Sequence, residues 1–395
     1  MMFGFRQKVT AIILLYFLMA FSITLFSQFQ VVSTIMKTVL VVFFVSDTII
    51  NSGDNKKVVQ YGLSLFILFV SFFIGQYYYH DDNFKEGIIK NFTHFARFAF
   101  WIIVVVWFSV QKYTLEDLKK VLNVITIVLV FNSLFIFAGI MFNINLFQTY
   151  QGGWRFGYNG LFSSISTTSY LYVIVIYSEF FLIKKEGKNK LLFFLLASSG
   201  VLIGTKTLWL FLMSLLIFNI TNTRLSGLSI RYAVLLLLIS AVFIWMGFPI
   251  IEEQFAVWEN IFNERGLSAA VLSYRNISFQ KFFLDDIENK WGLINFLFGG
   301  ADFYNRMRTE MMIIDLFHFW GLIGGAFYLY IIGRYLKLNF LRKIDHYLFI
   351  VIMILLIGIV SGNLFHNSNN TLFIVLLISF LREYKLRENN IPINT

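Results

Sequence analysis

The sequence predicts an all-α integral membrane protein of about twelve transmembrane helices with one large, partly helical extracytoplasmic loop. Hydrophobic residues make up 58% of the 395 residues and charged residues only 14%. A water-soluble domain could not bury so many apolar side chains. The charges gather in short islands between apolar stretches of about the length that crosses a bilayer. Because the chain has only two prolines, these stretches can remain helical.

The predicted spans are apolar segments separated by polar connections. The seventh, eighth and twelfth are short for complete spans, so they extend into the loops, break or tilt. We interpret residues 1–395 as a single polytopic membrane domain that contains the extracytoplasmic loop, residues 251–310. The segments lie at about residues 9–27, 30–50, 58–78, 91–111, 121–142, 161–183, 191–203, 208–220, 232–250, 311–333, 346–362 and 370–382.

The distribution of lysine and arginine predicts which side of the membrane each connection faces. With the N-terminus in the cytoplasm, twenty of these residues fall in inner islands and ten in outer ones. Lys37 and Arg97 lie inside spans. Since cytoplasmic loops are enriched in positive charge, both termini are expected in the cytoplasm. This placement explains the net charge of +10 without a nucleic-acid partner.

The connection at residues 251–310 is much longer than the others. Its stretch 273–287 mixes apolar and charged residues at helical spacing, which predicts an ordered cap rather than a flexible linker. The chain contains no cysteine, which excludes disulfides, thiolate metal sites and cysteine nucleophiles. We find no metal-ligand or phosphate-loop motif, so no cofactor is expected.

Several cationic or potentially cationic residues are predicted at a similar depth near the outer side. Lys37 lies about 10 Å inside the second span, and His94 and Arg97 are one turn apart in the fourth. For Lys37 and Arg97, snorkelling to lipid headgroups is an equal alternative. Arg155 and Lys206 each lie in a turn of small residues, where backbone N–H groups and a cation suit an oxyanion.

Acidic residues and a histidine mark the start of the tenth span. At 100° per residue, Glu310, Asp315, His318 and Gly321 share one arc of a continuous helix. Asp315 and His318 are one turn apart and could pair, either for function or to hold helices together. Together with the cations, they predict an outward-facing site that binds a phosphate or diphosphate. A carboxylate or histidine there could take a proton from a hydroxyl.

Between residues 150 and 380 the chain resembles the O-antigen polymerase and ligase superfamily, and within it the Wzy-type polymerases. Glu310 stands where the ligases carry a histidine. Met312 stands where family polymerases often carry a second acid, so the role of that acid cannot be transferred. The matching motifs are GWRFGYNG at 153–160, GTKT at 204–207, SYRN at 273–276, LFGGA at 297–301, EMMIID at 310–315 and WGLIG at 320–324.

The resemblance implies a metal-independent glycosyltransferase of a bacterial inner membrane. It would polymerise undecaprenyl-diphosphate-linked oligosaccharide repeat units into O-antigen or a related surface polysaccharide on the outer face. A chain-length regulator would be an expected partner. The alternatives are an O-antigen ligase of the same superfamily and a lipid-linked oligosaccharide flippase or other transporter.

From the residues and the resemblance together, we assign roles to individual residues as hypotheses. Glu310 would deprotonate the acceptor hydroxyl, with His318 as the second candidate. Asp315 would orient His318 or a sugar hydroxyl. The residues expected to bind the diphosphate are Arg155, Arg275, Lys206, Arg97, Lys37 and Arg308.

Overall fold

The structure is a computed structural model that describes residues 4–26, 30–51, 55–80, 84–150, 156–188, 190–222, 259, 262–264, 266, 275–303, 308–336, 345–362 and 364–390. Within these residues it is helical, apart from turns and an isolated antiparallel bridge between Gln148 and Tyr158. The α-helices are α1 (Phe5–Leu25), α2 (Gln30–Asn51), α3 (Asn55–His80), α4 (Phe84–Val110), α5 (Leu115–Met141), α6 (Ile165–Glu186), α7 (Lys190–Leu202), α8 (Lys206–Asn222), α9 (Arg275–Phe282), α10 (Leu293–Phe298), α11 (Met312–Leu336), α12 (His346–Ser361) and α13 (Ser368–Asn390).

Six of the described helices, α1, α3, α4, α5, α6 and α11, are long and apolar enough to cross a membrane. Eleven of the predicted apolar segments coincide with described helices, and the segment at 232–250 lies outside the described residues. Helix α13 has 23 residues and exceeds its predicted segment, whereas α7 has only 13. The fold therefore supports an all-α membrane protein, and the count of twelve spans stays a prediction.

The chain forms two compact units. Unit 1 comprises Met1–Val9, Val31–Lys120 and Val271–Thr395, and unit 2 comprises Thr10–Gln30 and Val121–Ala270. Helices α1 and α5 contribute residues to both units. The single polytopic domain inferred from sequence stays a prediction.

One end of unit 1 is held together by the carboxylate of Asp47 in α2. Lys8 Nζ lies 2.6 Å from Asp47 Oδ1, and Asn51 Nδ2 donates to the same oxygen. Trp107 Nε1 and Gln111 Nε2 donate to Oδ2 at 2.8 and 2.9 Å. A mostly buried carboxylate is tolerated when its oxygens are satisfied in this way. Asp47 therefore joins α1, α2 and α4.

Helix α11 is interrupted at Gly321, which has φ 64° and ψ −167°. A Cβ atom on Gly299 would lie 2.5 Å from the Gly321 nitrogen, and one on Gly75 would lie 2.5 Å from the carbonyl oxygen of Phe298. The end of α10 therefore packs backbone against backbone between α3 and α11. The predicted continuous arc is wrong at both ends, because the helix breaks at Gly321 and Glu310 precedes its first residue, Met312.

In unit 2, two motifs of the sequence lie side by side. Tyr158 N donates to the Leu202 carbonyl at 2.9 Å, and a Cβ on Gly204 would collide with the carbonyl of Phe156. Gly204 has φ 72°, a conformation that glycine adopts without strain. The turn before α8 is therefore packed against residues 156–158, in the middle of the GWRFGYNG motif.

Candidate functional site

Glu310 forms an accessible ion pair in unit 1. Arg275 Nη2 at the start of α9 donates to Glu310 Oε2 at 3.1 Å. The Glu310 side chain is 46% exposed and the Arg275 side chain 19% exposed. Because the Glu310 carboxylate is accessible, a ligand can replace either member of this ion pair as the partner of the other. Such a partly exposed ion pair contributes little stability.

The backbone of Glu310 has an uncommon conformation. Its φ is 56°, in the left-handed region that non-glycine residues rarely adopt. Gly362, which follows α12, lies so close to the Glu310 carbonyl that any Cβ atom there would collide with it. Backbone strain of this kind concentrates at functional sites. The contact with Gly362 thus holds Glu310 in place just before α11.

Asp315 interacts with the chain that precedes its own helix. Its Oδ1 accepts hydrogen bonds from Thr309 N at 3.0 Å and Thr309 Oγ1 at 2.7 Å. Arg308 Nη1 lies 3.8 Å from Oδ2. The predicted pairing of Asp315 with His318 is wrong, because Asp315 instead fixes the segment that carries Arg308 and leads to Glu310.

His318 is paired with a residue that the sequence analysis missed. Its Nε2 lies 2.8 Å from Asp286 Oδ2, and the Tyr79 hydroxyl donates to Asp286 Oδ1 at 2.6 Å. Phe282 stacks on the His318 ring with centroids 3.9 Å apart. Asp286 is only 1% exposed. The sequence contained one signal for this pairing. Asp286 is four residues after Phe282 in the predicted helical stretch 273–287, and this spacing places both residues on one face of a helix.

We expect Asp286→Ala to lower the thermal stability of the detergent-solubilised protein strongly, because the Tyr79 hydroxyl and His318 would lose a buried partner. Leaving a buried donor without its partner costs about 1–3 kcal/mol. The matched control is Asp285→Ala, since Asp285 is the exposed neighbour in the same π-helical turn. The readout is the melting temperature of each purified variant. Equal melting temperatures for the two variants would contradict the pairing.

Three cations predicted to bind a diphosphate are electrostatically coupled in unit 1. Lys37 in α2 and Arg97 in α4 lie close enough for their charges to repel, as do Arg97 and Arg308. Next to them, His94 Nδ1 lies 2.7 Å from His366 Nε2, so the N–H of one ring donates a hydrogen bond to the unprotonated nitrogen of the other. Like charges in proximity favour an anionic ligand.

Burial and neighbouring charge set the protonation of two groups in the connections. Burial, reinforced by Arg308, Arg97 and His94, lowers the pKa of His366, so this ring is neutral at pH 7. Burial also lowers the pKa of the Arg308 guanidinium, while the carboxylates of Asp315 and Glu310 raise it. An arginine stays charged despite such a shift. Arg308 is therefore a permanent cation beside Glu310.

The predicted site residues are distributed over the chain as follows. The structure brings Glu310, Asp315, His318, Arg275, Arg308, Arg97 and Lys37 into unit 1. Lys206 is the first residue of α8 in unit 2. Arg155 lies outside the described residues.

Among the residues that the structure describes, no group of three or more histidine or acidic side chains is arranged to hold a metal ion. Comparisons with protein-family models, curated proteins and solved structures find no match to this chain.

Proposed function

We propose that the protein is a glycosyltransferase of the bacterial cytoplasmic membrane. It polymerises undecaprenyl-diphosphate-linked oligosaccharide repeat units on the outer face. The observation that carries the proposal is the exposed Glu310 carboxylate beside Arg275 and Arg308. Its strained backbone and the neighbouring cations Arg97 and Lys37 support the same interpretation.

The reaction requires one proton acceptor and a site for the leaving group. Glu310 takes the proton from the acceptor hydroxyl, and the hydroxyl oxygen forms a bond to the anomeric carbon of the donor. The bond between that carbon and the diphosphate breaks, and the electron pair leaves on undecaprenyl diphosphate. The cations stabilise the charge that develops on this leaving group. No metal ion is needed for this step.

Arg275 has two successive roles in the proposed mechanism. Without substrate it pairs with Glu310 at 3.1 Å. A diphosphate carries more negative charge than one carboxylate and offers oxygens that a guanidinium can bind in bidentate fashion. Donor binding would therefore draw Arg275 away and free Glu310 to act as the base.

The decisive experiment uses the purified full-length protein in liposomes with synthetic polyprenyl-diphosphate-linked repeat units. We expect products that differ in length by whole repeat units, together with release of polyprenyl diphosphate, in the presence of EDTA. Gel electrophoresis and mass spectrometry measure both. Protein that leaves all units unjoined contradicts the proposal.

The same preparation separates the alternatives. A ligase would transfer a finished glycan to a different acceptor and would not lengthen chains from single units. A flippase would make repeat units accessible on the opposite side of the vesicle without forming a glycosidic bond. Either result would replace the polymerase assignment.

A further inference from the structure

The chain around α10 runs along α11 from near its start to Gly321 and then turns back towards the start. Trp291, just before α10, packs on Phe317 with ring centroids 5.3 Å apart. The end of α10 reaches Gly321, about 13 Å along α11 from its first residue at the helical rise. From there Gly300 N donates to the His318 carbonyl at 3.2 Å, and the chain is back beside Asp315 at Thr309. Trp291 and Thr309 therefore both lie towards the start of α11, whereas Gly299 lies further along it, at Gly321.

Buried amide side chains form hydrogen bonds with the non-helical backbone of residues 301–303, just after α10. Gln76 Nε2 of α3 donates to the Ala301 carbonyl at 3.2 Å, and Phe303 N donates to Asn91 Oδ1 of α4 at 3.0 Å. Gln76 and Asn91 are fully buried and also bond to each other at 3.1 Å.

Two further bonds complete this pattern. Asn295 Nδ2 donates to the Gly299 carbonyl at 2.9 Å, and Trp291 Nε1 donates to the Gly300 carbonyl at 3.2 Å. Side-chain partners for each of these backbone groups are what irregular backbone requires where the surroundings contain no water.

The outward surface of the segment is apolar. Leu293 is 77% exposed and Phe296 is 39% exposed. Exposed apolar residues of α11 include Ile313 at 49% and Leu322 at 64%. Phe296 lies against Phe317 of α11, with ring centroids 6.5 Å apart. Exposed apolar side chains are therefore present on both α10 and the candidate membrane span that it contacts.

We infer that residues 291–303 form a re-entrant segment whose exposed face contacts the acyl chains of the leaflet in which α11 begins. Lipid is the partner that fits, because the exposed side chains are apolar, Phe296 contacts a candidate span, and the backbone has internal polar partners. The inference does not depend on the proposed enzymatic activity.

The absence of cysteine allows a direct test in the full chain. Single-cysteine variants Leu293→Cys and Phe296→Cys carry a nitroxide spin label in phosphatidylcholine and phosphatidylglycerol vesicles. Collision rates with oxygen, which partitions into lipid, and with a water-soluble nickel complex are compared at each position. Leu322→Cys in α11 serves as the lipid reference and Glu288→Cys, exposed in the π-helical turn, as the aqueous reference.

We expect labels at 293 and 296 to favour collision with oxygen, as at 322, and the label at 288 to favour the nickel complex. A preference for nickel at 296 equal to that at 288 would overturn the inference. Leu293 is 77% exposed, so Leu293→Cys leaves the packing of α10 against α11 in place. Phe296→Cys removes the ring contact with Phe317, so its melting temperature is compared with that of Leu293→Cys before labelling. The result is read without glycosyl transfer, so a failed polymerisation assay would not affect it.

Discussion

Replacing Glu310 with glutamine should reduce polymer formation by roughly 100-fold or more, the usual contribution of a general base. Glutamine keeps the size of the side chain and can still accept a hydrogen bond from Arg275, but it cannot take a proton from the acceptor hydroxyl. The stability of the protein should change little, because the side chain is 46% exposed. The measurement is the initial rate of repeat-unit joining by purified protein in liposomes.

The matched control for Glu310→Gln is Glu288→Gln, which removes an exposed acid from the same loop and should leave the rate unchanged. Equal melting temperatures for both variants would establish that any loss of rate is chemical. A rate for Glu310→Gln close to that of the unmodified protein would exclude Glu310 as the base. His318 would then be the next candidate, although its pairing with Asp286 favours a structural role.

Replacing Gly321 with alanine should prevent stable folding of unit 1. The combination of φ 64° and ψ −167° is a conformation essentially restricted to glycine, and it costs another residue about 1–3 kcal/mol. The new Cβ would also lie 2.5 Å from the carbonyl carbon of Leu297, and backbone cannot rotate away as a side chain can. We expect a total loss above about 4 kcal/mol, within the range of severe single substitutions.

The control for Gly321→Ala is Gly325→Ala in the same helix. A Cβ on Gly325 would meet the Leu316 carbonyl at 3.6 Å, an ordinary contact, and alanine is the better helix former. The yield of monodisperse protein after detergent extraction and the melting temperature compare the two. Equal yield and melting temperature would show that α10 and α11 do not pack through Gly321.

The positions of the helices could be predicted from sequence because a bilayer imposes length and hydropathy on every span. Counting spans also predicted that Lys37, Arg97 and the start of α11 face the same side. The structure supports this within unit 1, where the charges of Lys37, Arg97 and Arg308 interact. The position of Lys206 relative to these residues stays a prediction, because Lys206 belongs to unit 2.

Sequence spacing could not predict which side chains pair. Asp315 and His318 are one helical turn apart, yet each has its partner on another segment. Helical periodicity describes only neighbours on the same helix, whereas Asp286 reaches His318 because the loop folds back onto α11. Likewise, the sequence could not show which groups the side-chain amides of Gln76 and Asn91 bind, because their backbone partners in residues 301–303 lie far away along the chain.

Hydropathy and charge along the chain were enough to predict an all-α membrane protein, the extent of most helices and a set of acidic and basic residues for the candidate site. These properties are local, since a short window of residues contains them. The fold was needed to show that Glu310 lies before the helix in a left-handed conformation, that Gly321 breaks α11 and that α10 packs into that break. These features arise where distant backbone segments meet, as at Gly299 and Gly321 or Glu310 and Gly362, and no local pattern encodes which segments those are.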